Sequence, residues 1–257
     1  MAKWTAFPFD SAEYRYDAAA LKKHWARLHA GDAEPWPKDE AVQTAWALFH
    51  AGEFHKACEA GLKAGGSGIA AANKAQAIYA NYLEKSEKTR LAMFLEVAGR
   101  AEAQQAAEPK NANAFYWQAY ALGRYSQGIS VVKALSQGLG AKVKAALETA
   151  IKLAPRHADA HIALGAFHAE VIDKVGKLLA RTQGADAATG LALFKQALEI
   201  NPTSAIARVE YANGLVMLEG EKRMKQAEKL YADAAACKAM DAMERLDVEM
   251  AKAELED

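Results

Sequence analysis

Three observations predict an all-α fold, a right-handed superhelical solenoid of about five helical hairpins. Alanine, leucine, glutamate, lysine and glutamine recur throughout, and these are strong helix formers; the six prolines fall outside the periodic segments. No alternating run of valine and isoleucine suggests a strand. Pro109, Pro155 and Pro202 are spaced 46 and 47 residues apart and close similar phrases, AAEPKNANA, KLAPRHADA and EINPTSAIA. Each phrase opens a new helix, and a recurring unit of this length signals hairpins stacked in one direction.

The elements follow in order. Residues 1–37 read as a lead-in: Asp17 caps the helix AAALKKHWARLHA, Gly31 ends it, and DAEPWP forms a loop. Residues 38–238 read as the solenoid. Its first unit carries GEFHKAC, with Gly52 in the inter-helix turn and Ala57 as a small contact residue. The last segment, 239–257, is amphipathic and charged, and suits a capping helix with a polar outer face.

The central units match the tetratricopeptide repeat (TPR), whose first helix reads Trp-x2-Leu-Gly-x2-Tyr and whose second ends in a Phe and a Pro. His161, Leu164, Gly165 and His168 fit the first helix, and Phe194 and Pro202 the second. The same frame holds Phe115, Gln118, Ala119 and Leu122 one unit earlier, and Arg208, Tyr211, Ala212 and Leu215 one unit later. An ordinary repeat has 34 residues. The excess of about a dozen falls after the first-helix motif, in GRYSQGISVVKALSQGLG and AEVIDKVGKLLARTQGAD. Two extended central repeats are therefore expected, with first helices lengthened by several turns and projecting beyond the solenoid edge. Leu135, Leu139, Leu178 and Leu179 would give those projections apolar surface for pairing between copies, a homo-oligomer.

The runs YWQAYALGRYSQG, ADAHIALGAFHAEVIDKVG and SAIARVEYANGLVML, between Asn111 and Leu218, resemble the TatT family, TPR proteins associated with bacterial tripartite uptake systems. They are similar, more distantly, to the regulator of microtubule dynamics proteins. The resemblance implies a helical solenoid that contacts a partner protein, and an apolar channel or groove. It implies no catalytic residue. Members of that family are typically exported and lipid-anchored.

Composition bounds the function. Acidic and basic residues balance at 32 each, so no field of one sign favours nucleic acid. No run of about 18 apolar residues suggests membrane insertion. Two distant cysteines and an N-terminus interrupted by Asp10 and Glu13 point to a cytoplasmic protein.

Chemistry-bearing patterns read mostly as structure. His157, His161 and His168 share a helix face, but a metal needs further ligands, and Glu170 falls on the opposite side. Part-buried, hydrogen-bonded imidazoles are the expectation, with no metal and no cofactor; a zinc or nickel site at His157 and His161 is the alternative. GLGAK at Gly138 lacks the spacing of a phosphate loop. Glu170 and Asp173 near Lys174 read as a solvated charge face, and His55 beside Cys58 has no oxyanion site. The expected protein is not an enzyme.

The binding surface is expected on the inner faces of the first helices: Asn113, Tyr116, Trp117, Tyr120 and Arg124 in the third unit; Asp159, Ile162, Ala163, Ala166 and Glu170 in the fourth; Ile206, Val209, Glu210 and Asn213 in the fifth. Aromatic and arginine side chains anchor interfaces. The expected function is a scaffold or adaptor that holds a protein or peptide segment in this concave groove. The alternative is a small-molecule binder with an apolar channel bounded by the extended helices.

Overall fold

The structure, a computed structural model, describes residues 4–256. Among the described residues the chain is helical and contains no strand. A lead-in helix α1 (Ala18–Leu28) precedes five hairpins. These pair α2 (Glu40–His50) with α3 (Phe54–Ala64) and α4 (Gly68–Tyr82) with α5 (Glu87–Ala107). Then α6 (Ala112–Ile129) turns through a short α7 (Val131–Ser136) into α8 (Leu139–Leu153). The last two pair α9 (Ala158–Thr182) with α10 (Ala187–Ile200) and α11 (Ala205–Glu219) with α12 (Met224–Ala235), and α13 (Ala242–Glu256) ends the chain.

The three proline phrases form equivalent junctions. Each proline sits in a four-residue link, and the last residue of each link caps the next helix. Asn111 Oδ1 accepts from the Asn113 and Ala114 amides, His157 Nδ1 from Ala160, and Ser204 Oγ from Ala207. These side chains satisfy amides that the helix geometry leaves without intrahelical partners.

Packing between hairpins relies on small residues against large ones. The Phe194 ring is fully buried between Gly165 of α9 and Gly214 of α11. A Cβ at Gly214 would stand 2.4 Å from that ring, and one at Gly165 3.0 Å. The first-helix glycine of the repeat is thus a space requirement.

The extended repeats differ from the sequence expectation. α6 stops at Ile129; Ser130 takes φ +85°, and the following residues form α7, which packs against α8 and α9. Leu135 and Leu139 are part-buried against the core rather than projecting. α9 continues to Thr182 but breaks at Gly176, with φ +76°. Beyond the break Leu178 and Leu179 stand exposed, at 80% and 59%.

The C-terminal helix does more than cap. α13 packs on α11 and α12 and also reaches α2. His50 of α2 contacts Asp241 at the start of α13 at 2.7 Å, Arg27 of α1 forms a two-bond ion pair with Glu244, and Tyr82 of α4 donates to Asp247. The Tyr16 hydroxyl donates to the Met240 carbonyl at 2.6 Å. The two ends of the chain therefore meet across the inner face of the solenoid.

Replacing Phe194→Ala removes a fully buried ring from a rigid site, which costs about 3–5 kcal/mol. Urea denaturation followed by circular dichroism should show that loss; a loss below 1 kcal/mol would mean that the Gly165–Phe194–Gly214 packing does not hold the hairpins together.

Candidate functional site

The inner face is not an open groove. The loop after α1 lies over the N-terminal ends of the first helices. Asp32 receives the Lys74 ammonium of α4 at 2.6 Å and His29 Nδ1 at 2.8 Å. The Asn113 amide donates to Glu34 at 2.6 Å, and the Asp159 amide donates to the Gly31 carbonyl at 3.0 Å. With α13 on the other side, the chain itself covers part of the expected concave surface.

Beside these contacts lies a cavity of about 120 Å³. Its walls come from α4, α6, α7, α8, α9 and α11, with Met243 of α13. Tyr116, Trp117, Tyr120, Arg124, Asp159, Ile162, Ala166, Glu170 and Glu210 line it, as do Ala163 and Ile206. Helical spacing puts these residues on inward faces, since positions three and four apart share a side. Asn113, Val209 and Asn213 lie elsewhere. Asn113 is buried between Glu34 and His157, Val209 packs against Ala234, Val248 and Ala251, and Asn213 accepts a hydrogen bond from the Tyr231 hydroxyl. Internal contacts engage all three, and none of them lines the cavity.

The lining is apolar in its depth and charged at one rim. α7 supplies Val131, Ala134 and Leu135, and α8 and α9 supply Val143, Leu147, Phe167 and Val171. Trp117 packs edge-on against Tyr116 at 4.8 Å and Tyr120 at 5.4 Å between ring centres. Arg124 lies over the Tyr120 ring at 5.4 Å and bonds Glu210 of α11 at 3.0 Å. Gln127 donates to Glu170 of α9. Burial, with Glu210 nearby, pushes Glu170 up to about 7 against the pull of Arg124.

Asp159 sits at the opposite end. It is 8% exposed, and among the described residues its carboxylate has no hydrogen-bond or ion-pair partner. It packs on the Cα of Gly31, where a Cβ would lie 2.5 Å from Oδ1. Burial pushes it up to about 7; Lys74 opposes and Asp32 adds to the rise. A smaller polar void of about 30 Å³, beside Lys74, Asp241, Glu244 and Asp247, meets the main cavity at this residue.

The histidines are structural. His157 accepts at Nδ1 from Ala160 and meets Asn113 Oδ1 with Nε2 at 2.9 Å, so both nitrogens are engaged. His161 Nδ1 donates to the His157 carbonyl, and His168 Nδ1 accepts from the Asp186 amide. This corrects the alternative of a zinc or nickel site at His157 and His161, and no cluster of metal-ligating side chains occurs among the described residues. His55 packs tilted against Trp4, while the Cys58 thiol turns to Gln76 and burial raises it to about 11. It is a poor nucleophile. Asp173 pairs with Lys174 outside the cavity, so it and Glu170 do not share a site.

Sequence reasoning missed Ile78, Tyr82, Gly123, Leu135 and Met243 as lining residues. A signal was present in α4, where Asn73, Lys74 and Gln76 interrupt an alanine run and are all buried. Polar residues in so apolar a helix mark an internal polar cluster.

Titration of these groups sets the pH dependence. Asp159 gains protons on folding, so its contribution is full below pH 4 and is lost as pH rises through about 7. His29 and His157, lowered by burial to about 4, act oppositely: their contribution is present above about 6.5 and lost as pH falls to 4. Between pH 6.5 and 8 the carboxylate acts without that opposition. Asp159→Asn should therefore raise the melting temperature more at pH 8 than at pH 5, by about 3–6 °C. Equal changes at both pH values in thermal denaturation would mean that Asp159 titrates as an ordinary exposed carboxylate.

Comparison with known proteins places the fold. A thermophilic TPR protein from Thermus thermophilus, known from its crystal structure, superimposes with a TM-score of 0.57 over 83% of this chain and 98% of its own, at 15% identity. No family profile and no curated protein matches the sequence. The chain is a TPR-like helical solenoid.

Proposed function

We propose that this TPR-like solenoid is a non-enzymatic binding protein that holds a small apolar molecule in the cavity between α6, α7 and α9. One observation carries the reading: beside the part of the inner face that the chain's own segments cover lies this cavity, whose depth is apolar and whose rim holds Arg124, Glu170 and Glu210. Ligand sites are typically concave and apolar, with a few convergent polar groups. An apolar cavity of about 150 Å³ accepts benzene, so this one suits a ring or short chain, with the rest of the ligand reaching the rim. The TatT resemblance supports the same reading, since it implies an apolar channel.

An extended protein segment has less room, because α13 and the loop at residues 29–34 occupy its path. One observation keeps a protein partner as a second reading: Leu178 and Leu179 project beyond the Gly176 break as the chain's most exposed leucines. A partner or a second copy would meet the protein there rather than in the groove.

Gly123 gives the test. It lines the cavity, and a Cβ there meets nothing within 4 Å. Gly123→Leu should fold, gain up to about 1 kcal/mol from helix propensity, and fill the cavity. Saturation-transfer NMR with benzyl alcohol should show binding to the wild type and none to the variant. Equal signals from both proteins would overturn the cavity reading.

A further inference from the structure

The cavity has an uncompensated charge, and its placement selects a ligand class. Three carboxylates line the cavity, Asp159, Glu170 and Glu210, against one cation, Arg124. Arg124 is already engaged by Glu210, Gln127 and the Tyr120 ring. Glu170 accepts from Gln127. Asp159 alone is both buried, at 8% exposure, and without a partner for its carboxylate among the described residues. A buried carboxylate with no partner is costly, and a native fold keeps one only with compensation from elsewhere.

The nearest buried ammonium supplies only part of that compensation, opposing the rise of the Asp159 carboxyl without bonding it. Lys74 Nζ is held by Asp32 at 2.6 Å and stands over the Phe49 and Trp46 rings at 5.1 and 5.8 Å. The backbone amide of Asp159 is directed to Gly31, and the Gly31 Cα closes one side of the carboxylate. Asp159 borders both the smaller polar void and the cavity, where Tyr116 of α6 lines the wall with it. Aromatic faces attract cations, most strongly in a desolvated site.

We infer that the ligand of this cavity is a protonated amine carrying one ring-sized or short aliphatic apolar group, with Asp159 as its counter-ion. This rests on the proposed small-molecule function and names its ligand class. The ammonium meets Asp159 at the floor beside Tyr116, and the apolar group fills the space among Leu135, Leu147 and Phe167. The raised pKa of Asp159 agrees with this geometry, because the same desolvation that disfavours the free carboxylate is relieved by a bound cation.

Benzylamine, benzyl alcohol and benzoate share one ring and differ in charge, so they test the inference directly. Titration calorimetry at pH 7.5 on wild type should show benzylamine bound at least tenfold more tightly than benzyl alcohol, and benzoate weakest. In Asp159→Asn the amine preference should fall to within twofold, with benzyl alcohol unchanged. Benzylamine and benzyl alcohol binding the wild type equally would overturn the amine assignment and leave the cavity reading standing. No probe binding the wild type more tightly than Gly123→Leu would overturn both. An amine preference that survives in Asp159→Asn would overturn the role of Asp159. The wild-type comparison of the three probes decides the ligand class even where the Asp159→Asn chain does not fold.

Discussion

A row of first helices leaves an inner face that carries charged groups as well as rings, and burying those charges requires partners. In this chain the cover is internal, and it depends on the ammonium of Lys74. That cation sits in an alanine-rich helix, and Asp32 reaches it from the loop after α1. Removing a single member of such a pair strands a buried charge, which costs about 3–5 kcal/mol. The pair therefore fixes where the lead-in must lie. From there Glu34 meets Asn113 and Gly31 meets Asp159, so one ion pair on α4 places the loop against α6 and α9. The C-terminal helix completes the cover through His50–Asp241, Arg27–Glu244 and Tyr82–Asp247.

This internal cover explains why a cavity survives rather than a groove or a filled core. While α13 reaches His50 and Tyr82 at the C-terminal ends of α2 and α4, the loop blocks the face at the N-terminal ends of α6 and α9. At the other ends, α7 turns inward and closes the side between α6 and α9. The space between these covers is bounded by rigid helices, and collapse would require whole hairpins to shift. Packed helices resist such shifts because their side chains interdigitate at crystal-like density. The Gly165–Phe194–Gly214 contact shows how little slack the neighbouring hairpins have.

Much of the architecture is legible in the sequence because it is local. Proline spacing gives the period, small residues at Ala119, Gly165 and Ala212 give the close approaches, and the capping positions follow from the phrases themselves. The turn at Ser130 is not legible: a serine at positive φ replaces the glycine that such a bend usually requires, so the segment reads as continued helix. The place of α13 is not legible either. Its amphipathic pattern fits an end cap as well as an inner cover, and only the distant partners His50, Arg27 and Tyr82 distinguish the two. Within the candidate site, helical spacing brought Tyr116, Tyr120, Arg124 and Glu170 to one face, but the lining from α4 and α13 comes from chain more than 30 residues away. Asn113 illustrates the failure most plainly. Its register is that of an inner-face residue, yet its amide is engaged by Glu34 and His157.

The rim of the cavity follows a different physical rule from its floor. Arg124–Glu210 and Gln127–Glu170 link α6 to α11 and to α9, and they close over the apolar depth. Gln127 is exposed, and the side chains of Arg124 and Glu210 remain 23% and 16% exposed. Partly exposed pairs of this kind contribute about 1 kcal/mol or less, because water and salt compete for both partners. Opening the rim therefore disturbs little of the fold, whereas opening the floor would expose Lys74, Asp32 and Asp159 together. The polar bonds that are easiest to break lie at the mouth, and those that hold the chain's ends in place lie behind Asp159. On the proposed function, a ligand would exchange through the mouth without loosening the ion pair on which the inner face depends.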